Sequence, residues 1–424
     1  MVYPVRCLIA TLLFVSLTVS AGSLTVTKPE SVGMSSVRLQ VLRDRFQQFV
    51  DDGELPGFQI VIARRGRVVM HENIGFANIE TNEPITYDTL FRFFSLTKPI
   101  TTVAAMILYD EGRFSMGDPI EKFIPEFADL KVYAGTDEAG EIVLEAPGHA
   151  PTIHELMTHT AGFTYGVFGD SPVDKLYRDS NALELGISKA VAIERLARLP
   201  LQYQPGTEYE YSVSADILGF VVEAITGTDM DTFVQQRILQ PLGMDATMSW
   251  VPPELAHKLM KIHARNDEGE LYVWSDDPDS NRPFDRALMK PVIFGGGAQL
   301  ISTTDDYFRF ASMLLNGGTY EGVRILSPST VKFMTSQRYP KGVRERYWAP
   351  GHGHGLNVSV AMDPTQINYP ISKGEFSHGG FATGYFFVDP ELELVVIMQS
   401  QYVPARHRAL IPYLNPLVHA AIID

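Results

Sequence analysis

The sequence predicts an α/β protein of the α+β type. An antiparallel sheet, formed from both chain ends and flanked by helices, carries an inserted, mostly helical domain. Three observations predict it. A β-rich run near the start reads FQIVIARRGRVVMHENIGFAN, and another near the end reads GEFSHGGFATGYFFVDPELELVVIMQSQ. Between them, helical stretches alternate with loops punctuated by proline and glycine. Strands that cluster away from helices favour antiparallel pairing over repeated βαβ units. The expected organisation is a leader at 1–21, a sheet domain from 28–99 and 291–424, and a helical domain from 100–290.

Taken in order, the N-terminus opens with Arg6 before an apolar stretch from Cys7 to Val19. Val19-Ser20-Ala21 then offers a small-residue cleavage site, the pattern of a secretory signal peptide. The run is short for a bilayer span, and no later segment is long and apolar enough for one. The expectation is a secreted or periplasmic protein with no integral span after signal removal. Cys7 is the only cysteine. The mature chain would have neither disulfide nor thiolate chemistry. Apolar residues at Val37, Leu39, Leu42, Phe46 and Phe49 have helical spacing. The next two β-runs flank Arg65-Gly66, a hairpin signal.

Four helical stretches follow: TIHELMTHTAGF, SKAVAIERLARLP, SADILGFVVEAITG and MDTFVQQRILQPLG. DDPDSNRPFD at 276–285 reads as an exposed loop. STTDDYFRFASMLLNGG is a capped helix ending in glycines. The final β-region reads as two long strands joined at Pro390-Glu391, followed by a C-terminal helix. The composition is 45% hydrophobic and 20% charged, ordinary for a globular chain of 424 residues. A net charge of −15 gives no basic footprint for nucleic acid.

Several motifs fail on spacing. His154 and His159 in HELMTH are five residues apart, whereas a zinc-protease helix needs four. His352 and His354 in GHGHG lack further ligands, so no metal is expected. No G-x-S-x-G elbow and no phosphate-binding glycine fingerprint occurs.

The pattern S-x-x-K occurs twice, at Ser95–Lys98 and Ser329–Lys332. Residues three apart share a helix face. Pro99 is tolerable only near a first helical turn, so the helix begins close to Ser95. A helix N-terminus favours negative charge, which suits a nucleophile whose attack creates an oxyanion. Phe91, Phe93 and Phe94 before it, and an apolar helix after it, make Lys98 the buried lysine of the two. Burial disfavours the charged form of an amine, and a neutral amine can act as a general base. Lys332 reads as part of a solvated face. Tyr211, at the start of a helical run, is the candidate proton relay, against the plainer reading of a packed tyrosine. Gly379 and Gly380 let a ligand approach a strand backbone closely, against the plainer reading of a bulge.

Ser95-x-x-Lys98, Tyr211-Ser212-Val213 and His378-Gly379-Gly380, in that order, resemble the serine β-lactamase and penicillin-binding-protein superfamily. The nearest resemblance is to its class C β-lactamase-related branch, which includes the family VIII carboxylesterases. Flanking phrases such as TLFRFFSLTKPIT and MGDPIEKFIPEF extend the likeness over nearly the whole mature chain. The resemblance implies the β-lactamase/DD-peptidase fold, an acyl-enzyme on Ser95, and Lys98 and Tyr211 as its acid/base partners. It implies an oxyanion hole from the backbone N–H groups of Ser95 and Phe381, and no cofactor. Substrate contacts would come from Val213, His378, Gly379 and Gly380. Two positions depart from the β-lactamase pattern. Val213 replaces an asparagine, and His378 replaces a lysine, where family VIII esterases often carry tryptophan. Both departures favour a small-molecule ester, with short acyl chains as the default, over a β-lactam. The rival expectations are a β-lactamase or D-amino-acid peptidase of the same fold, and a non-catalytic penicillin-binding-like protein.

Overall fold

The computed structural model describes residues 24–184, 186–274, 285–340, 342–343 and 350–424. The expected leader and residues 276–284 of the expected loop lie outside the described residues. The main sheet has eight antiparallel strands: β1 (Gly57–Arg64), β2 (Arg67–Asn78), β3 (Glu83–Pro84), β4 (His352–His354), β5 (Ser359–Ala361), β6 (Phe376–Gly379), β7 (Tyr385–Asp389) and β8 (Leu394–Gln399). Their spatial order is β4-β5-β6-β7-β8-β1-β2-β3. The two chain ends therefore meet at the β1–β8 pair, in register from Gln59 opposite Gln399 to Arg64 opposite Leu394. The β1–β2 hairpin turns through Arg65 and Gly66 at φ of 53° and 70°. Two consecutive left-handed residues are the geometry that matches strand twist.

Alternation along the strands gives the sheet two apolar faces. Phe58, Ile60, Ile62, Phe387 and Val396 face α1 (Ser36–Asp51) and the C-terminal helix, α10. Val61, Ala63, Phe386, Val388 and Ile397 face the rest of the helices. These include α2 (Thr97–Asp110), α3 (Ile153–Met157), α4 (Pro172–Ser180), α5 (Lys189–Ala197), α6 (Ser214–Thr226), α7 (Met230–Val234) and α8 (Thr304–Leu315). Two further helices are α9 (Pro328–Met334) and α10 (His407–Ala420). Helix α8 lies directly on β1 and β8, its first turn capped by the Thr303 side chain, which accepts from Asp306 N.

Three sequence expectations change. The last β-region forms three strands rather than two, because the chain turns between β6 and β7. Gly380 N donates to Gly384 O at 2.7 Å, and Thr383 sits at φ 70°. The expected turn at Pro390-Glu391 is present, held by the Asp389 carboxylate, which accepts from Glu391 N and Leu392 N. TIHELMTHTAGF is α-helical only over α3, which a Thr152/Glu155 capping box starts and the left-handed His159, φ 55°, follows. GHGHG, whose alternate glycines give no strand signal, forms the edge strand β4.

Phe386 is fully buried, its ring edge-on to Tyr307 of α8 with centroids 5.1 Å apart. Phe386→Ala should lower unfolding stability by about 3–5 kcal/mol, since the surrounding sheet and helix cannot collapse into the void. Urea unfolding followed by circular dichroism measures it.

Candidate active site

The segment FRFFSLTK is held on all sides. Phe91 and Arg92 pair with Ser302 and Ile301, and Phe93 N donates to Leu300 O at 2.9 Å. Leu300 N donates to Thr97 Oγ1 at 3.0 Å, and Tyr307 Oη donates to Leu96 O at 3.0 Å. Ser95 falls in a single 3₁₀ turn, Phe94–Leu96, directly before α2. The expected helix start is therefore displaced by two residues, and Pro99 is the third residue of α2. Phe94 has φ 46°, a left-handed conformation that costs an aromatic residue about 1–3 kcal/mol. Of residues 91–100, Ser95 alone is not buried.

Lys98 is 1% exposed. Its Nζ donates to Ser95 Oγ at 3.3 Å and to the Gly297 carbonyl at 2.9 Å. It also lies 4.5 Å from the centre of the Tyr211 ring and 5.2 Å from that of Tyr165. Tyr211 Oη reaches Ser95 Oγ at 2.7 Å. The three residues that the sequence singled out thus converge on one oxygen atom. The other S-x-x-K copy behaves as expected of a surface pair. Ser329 and Lys332 are exposed on α9, and Ser329 Oγ pairs with Ser327 Oγ at 2.9 Å.

The glycines at the end of β6 do steric work. A Cβ on Gly379 would collide with the His407 imidazole, and one on Gly380 would lie 3.0 Å from the Phe93 carbonyl oxygen. Their absence lets the strand end close on the Ser95 turn, where the Phe94 and Phe381 rings meet edge-on at 5.6 Å. Val213 is buried immediately before α6 and contributes an apolar wall. His378 is partly buried, and its Nδ1 donates to Gly379 O at 2.8 Å. Ser95, Lys98, Tyr211, Val213 and Phe381 line one cavity of about 640 Å³, whereas His378, Gly379 and Gly380 do not line it. The cavity is rich in aromatic and aliphatic groups, with Phe168 exposed on its rim.

Four participants escaped the sequence reading: Gly297, Asp216, Tyr165 and His159. Gly297 turns its carbonyl to Lys98, and its N–H donates to Asp216 Oδ1 at 3.1 Å. The available signal was the triplet Gly295-Gly296-Gly297, because a Cβ on Gly296 would strike the Ala215 carbonyl. His159 packs its ring 4.8 Å from that of Tyr211 and accepts from Ser212 N at 3.3 Å. It was weighed only as half of a failed zinc motif.

Three imidazoles stand around this centre without charge. Burial, then the Lys98 ammonium, pushes His378 down to about 3. Burial pushes His354 down to about 4, and burial followed by Lys98 holds His159 well below the usual histidine range. The unfolded chain protonates these imidazoles near pH 6.5, while in the native chain His354 refuses its proton until about pH 4 and His378 until about pH 3. Their contribution to stability is complete above pH 6.5 and is lost as pH falls through that window. Urea midpoints measured from pH 8 to pH 4 should drop below pH 6.5, and His354→Gln should make the drop shallower.

The family model described as Beta-lactamase matches residues 42–418. Protein Rv1367c of Mycobacterium tuberculosis is 33% identical over 368 residues, covering 84% of this chain and 88% of that protein. Esterase EstB of Burkholderia gladioli is 29% identical over 365 residues, covering 83% of this chain and 88% of EstB. Among solved structures, EstCE1, a hydrolase with promiscuous acyltransferase activity, superposes with a TM-score of 0.72 at 22% identity. That match covers 91% of this chain and 98% of EstCE1, and it shares the fold described above.

Proposed function

This chain belongs to the beta-lactamase family, and we propose that within it the protein is a serine carboxylesterase working through an acyl-enzyme on Ser95. One observation carries the reading: Ser95 Oγ lies 2.7 Å from Tyr211 Oη and 3.3 Å from Lys98 Nζ, on a largely apolar cavity. A hydroxyl becomes a competent nucleophile when an adjacent base takes its proton. In acylation, Ser95 Oγ attacks the ester carbonyl while its proton passes to Tyr211 Oη, which enters this step as a phenolate beside the Lys98 ammonium. Tyr211 then protonates the departing alcohol. In deacylation Tyr211 takes a proton from water, the resulting hydroxide attacks the acyl carbonyl, and the Ser95 Oγ–carbonyl bond breaks as the proton returns to Ser95 Oγ and the acid leaves. The backbone N–H groups of Ser95 and Phe381 receive the oxyanion, worth about 2.7–4 kcal/mol per donor in comparable sites. Lys98 adds fixed positive charge beside the oxygen that gains and loses a proton.

Two features favour an ester over a β-lactam. Val213 offers a hydrocarbon surface where the β-lactamase pattern has an amide side chain. His378, kept neutral, offers no cation where that pattern has lysine. The cavity can thus hold an acyl chain but has little at these two positions to hold the carboxylate of a β-lactam. The nearby esterase relatives support the same reading.

Ser95→Ala should reduce p-nitrophenyl butyrate hydrolysis by about 10⁴-fold or more, and Tyr211→Phe by about 10²–10⁴-fold. Ser329→Ala should leave it unchanged. Intact-mass analysis after a fluorophosphonate probe should show one adduct, absent from Ser95→Ala; a wild-type enzyme that takes none would exclude the acyl-enzyme. Steady-state rates should also favour p-nitrophenyl butyrate over nitrocefin. Faster nitrocefin turnover would reassign the protein as a β-lactamase.

A further inference from the structure

The sheet face away from Ser95 contains a feature that ester hydrolysis leaves without a use. Glu375 immediately precedes β6. The β6–β7 register pairs Phe376 with Val388, so one step further Glu375 stands opposite Asp389. Phe376 and Val388 face the active-site side, and alternation turns Glu375 and Asp389 to the α10 side. Both acids are buried, Glu375 at 2% and Asp389 at 0% exposure. Like charges directly opposite on neighbouring strands repel, and burial sharpens the repulsion.

Helix α10 brings two more polar groups to the same place. Asn415 and His419 are four residues apart and share a helix face. His419 Nδ1 donates to the Asn415 carbonyl at 2.8 Å. A carbonyl can only accept, so this bond fixes the tautomer and leaves the Nε2 lone pair bare. A histidine held by its other ring N–H to a backbone carbonyl is how metal-binding imidazoles are commonly oriented. Asp389 is prepared in a similar way. Its Oδ1 accepts from two backbone N–H groups, while its Oδ2 has no hydrogen-bond partner among the described residues.

The remaining atoms are orphaned too. Among the described residues, both oxygens of Glu375, Nε2 of His419, and both polar atoms of the Asn415 side chain are buried without a well-formed hydrogen bond. Asn415 is 0% exposed, and its side chain neighbours the Glu375 carboxylate. One donor atom each from Glu375, Asp389 and His419 all fall within 4.8 Å of one another. Buried polar atoms without partners are costly, and several converging on one point need a common ligand.

We propose that Glu375, Asp389 and His419, completed by the Asn415 side-chain oxygen, form a structural binding site for one zinc ion. Two carboxylates supply the charge that a divalent cation neutralises. The imidazole selects a transition ion over magnesium or calcium, which take all-oxygen sets. Four protein donors are a closed tetrahedral shell with no open position, the composition of a structural rather than a catalytic zinc site. The ion would tie α10 to the sheet, at the face opposite the cavity.

The full-length protein, stripped with a chelator and dialysed, is titrated with Zn²⁺ by calorimetry, and its melting temperature is followed in parallel. The expected result is binding at one ion per chain with a rise in Tm. Glu375→Gln and His419→Gln should each weaken binding by about 100-fold or more, beyond the loss expected from an outer-shell partner alone. Ester hydrolysis should remain unchanged in both. His419 lies near the end of α10 and is only partly buried, so its variant should fold even where that of Glu375 does not. A flat titration of the stripped wild type, with no Tm shift, overturns the proposal. So does His419→Gln binding Zn²⁺ as tightly as the wild type. If instead metal-free Glu375→Gln melts higher than a wild type that takes no Zn²⁺, the two acids share a proton and the site is not a metal site.

Discussion

A buried ammonium is the constraint from which the catalytic half of this molecule follows. Lys98 is almost wholly removed from water, and among the described residues no carboxylate forms an ion pair with it. An unpaired buried charge is expensive. It is tolerated because the Gly297 carbonyl, Ser95 Oγ and the faces of Tyr211 and Tyr165 surround it. Aromatic faces are worth about 2 kcal/mol to a desolvated cation. None of these groups neutralises the charge, so it remains available to the one oxygen at the cavity surface. A carboxylate partner would have quenched it. The three glycines at 295–297, the strained Phe94 and the tyrosines are then different parts of one solution, which is to solvate a cation with dipoles and rings.

The legible part of this design was the part with local signals. Pro99 announced a helix start, and Phe91 and Phe93 announced a core, so the choice of Ser95 over Ser329 followed from neighbouring residues. The paired chain ends were readable because β1 and β8 are long apolar runs. What escaped depended on approach between distant segments. Lys98 and Gly297 are 199 residues apart, and nothing in a GGG triplet says which cation its carbonyl will meet. His159 was obscured by its own motif, since HELMTH draws attention to metal spacing while α3 stops two residues before it. The break between β6 and β7 was missed because FSHGGFATGYFF reads as one β-rich run. The closeness of Gly380 to the Phe93 carbonyl is a tertiary fact.

The same neighbourhood shows how specificity can change without touching the nucleophile. Val213 and His378 flank the Ser95–Lys98–Tyr211 centre yet bring no charge to it. The Lys98 field itself contributes to that silence, because after burial it is the next cause keeping His378 unprotonated. A second cation so close to Lys98 would need anionic compensation, and an apolar wall at Val213 provides none. Neither position brings a charge to the centre, so dipoles and aromatic rings alone surround the Lys98 ammonium.

Assembly of the centre is also tied to assembly of the whole chain. Ser95 meets Tyr211 across 116 residues and, through Lys98, Gly297 across 199. Phe381 reaches the Ser95 turn only if β6 is in register, and β6 joins the N-terminal strands through β7, β8 and β1. Contacts of such sequence separation form late, because loop-closure entropy must be met before they contribute. A chain with its termini unpaired would hold Ser95 and Lys98 on one helix start, but without Phe381 beside them. The geometry of the candidate site thus depends on the closed sheet, and the β1–β8 pairing is as much a part of it as the cavity wall.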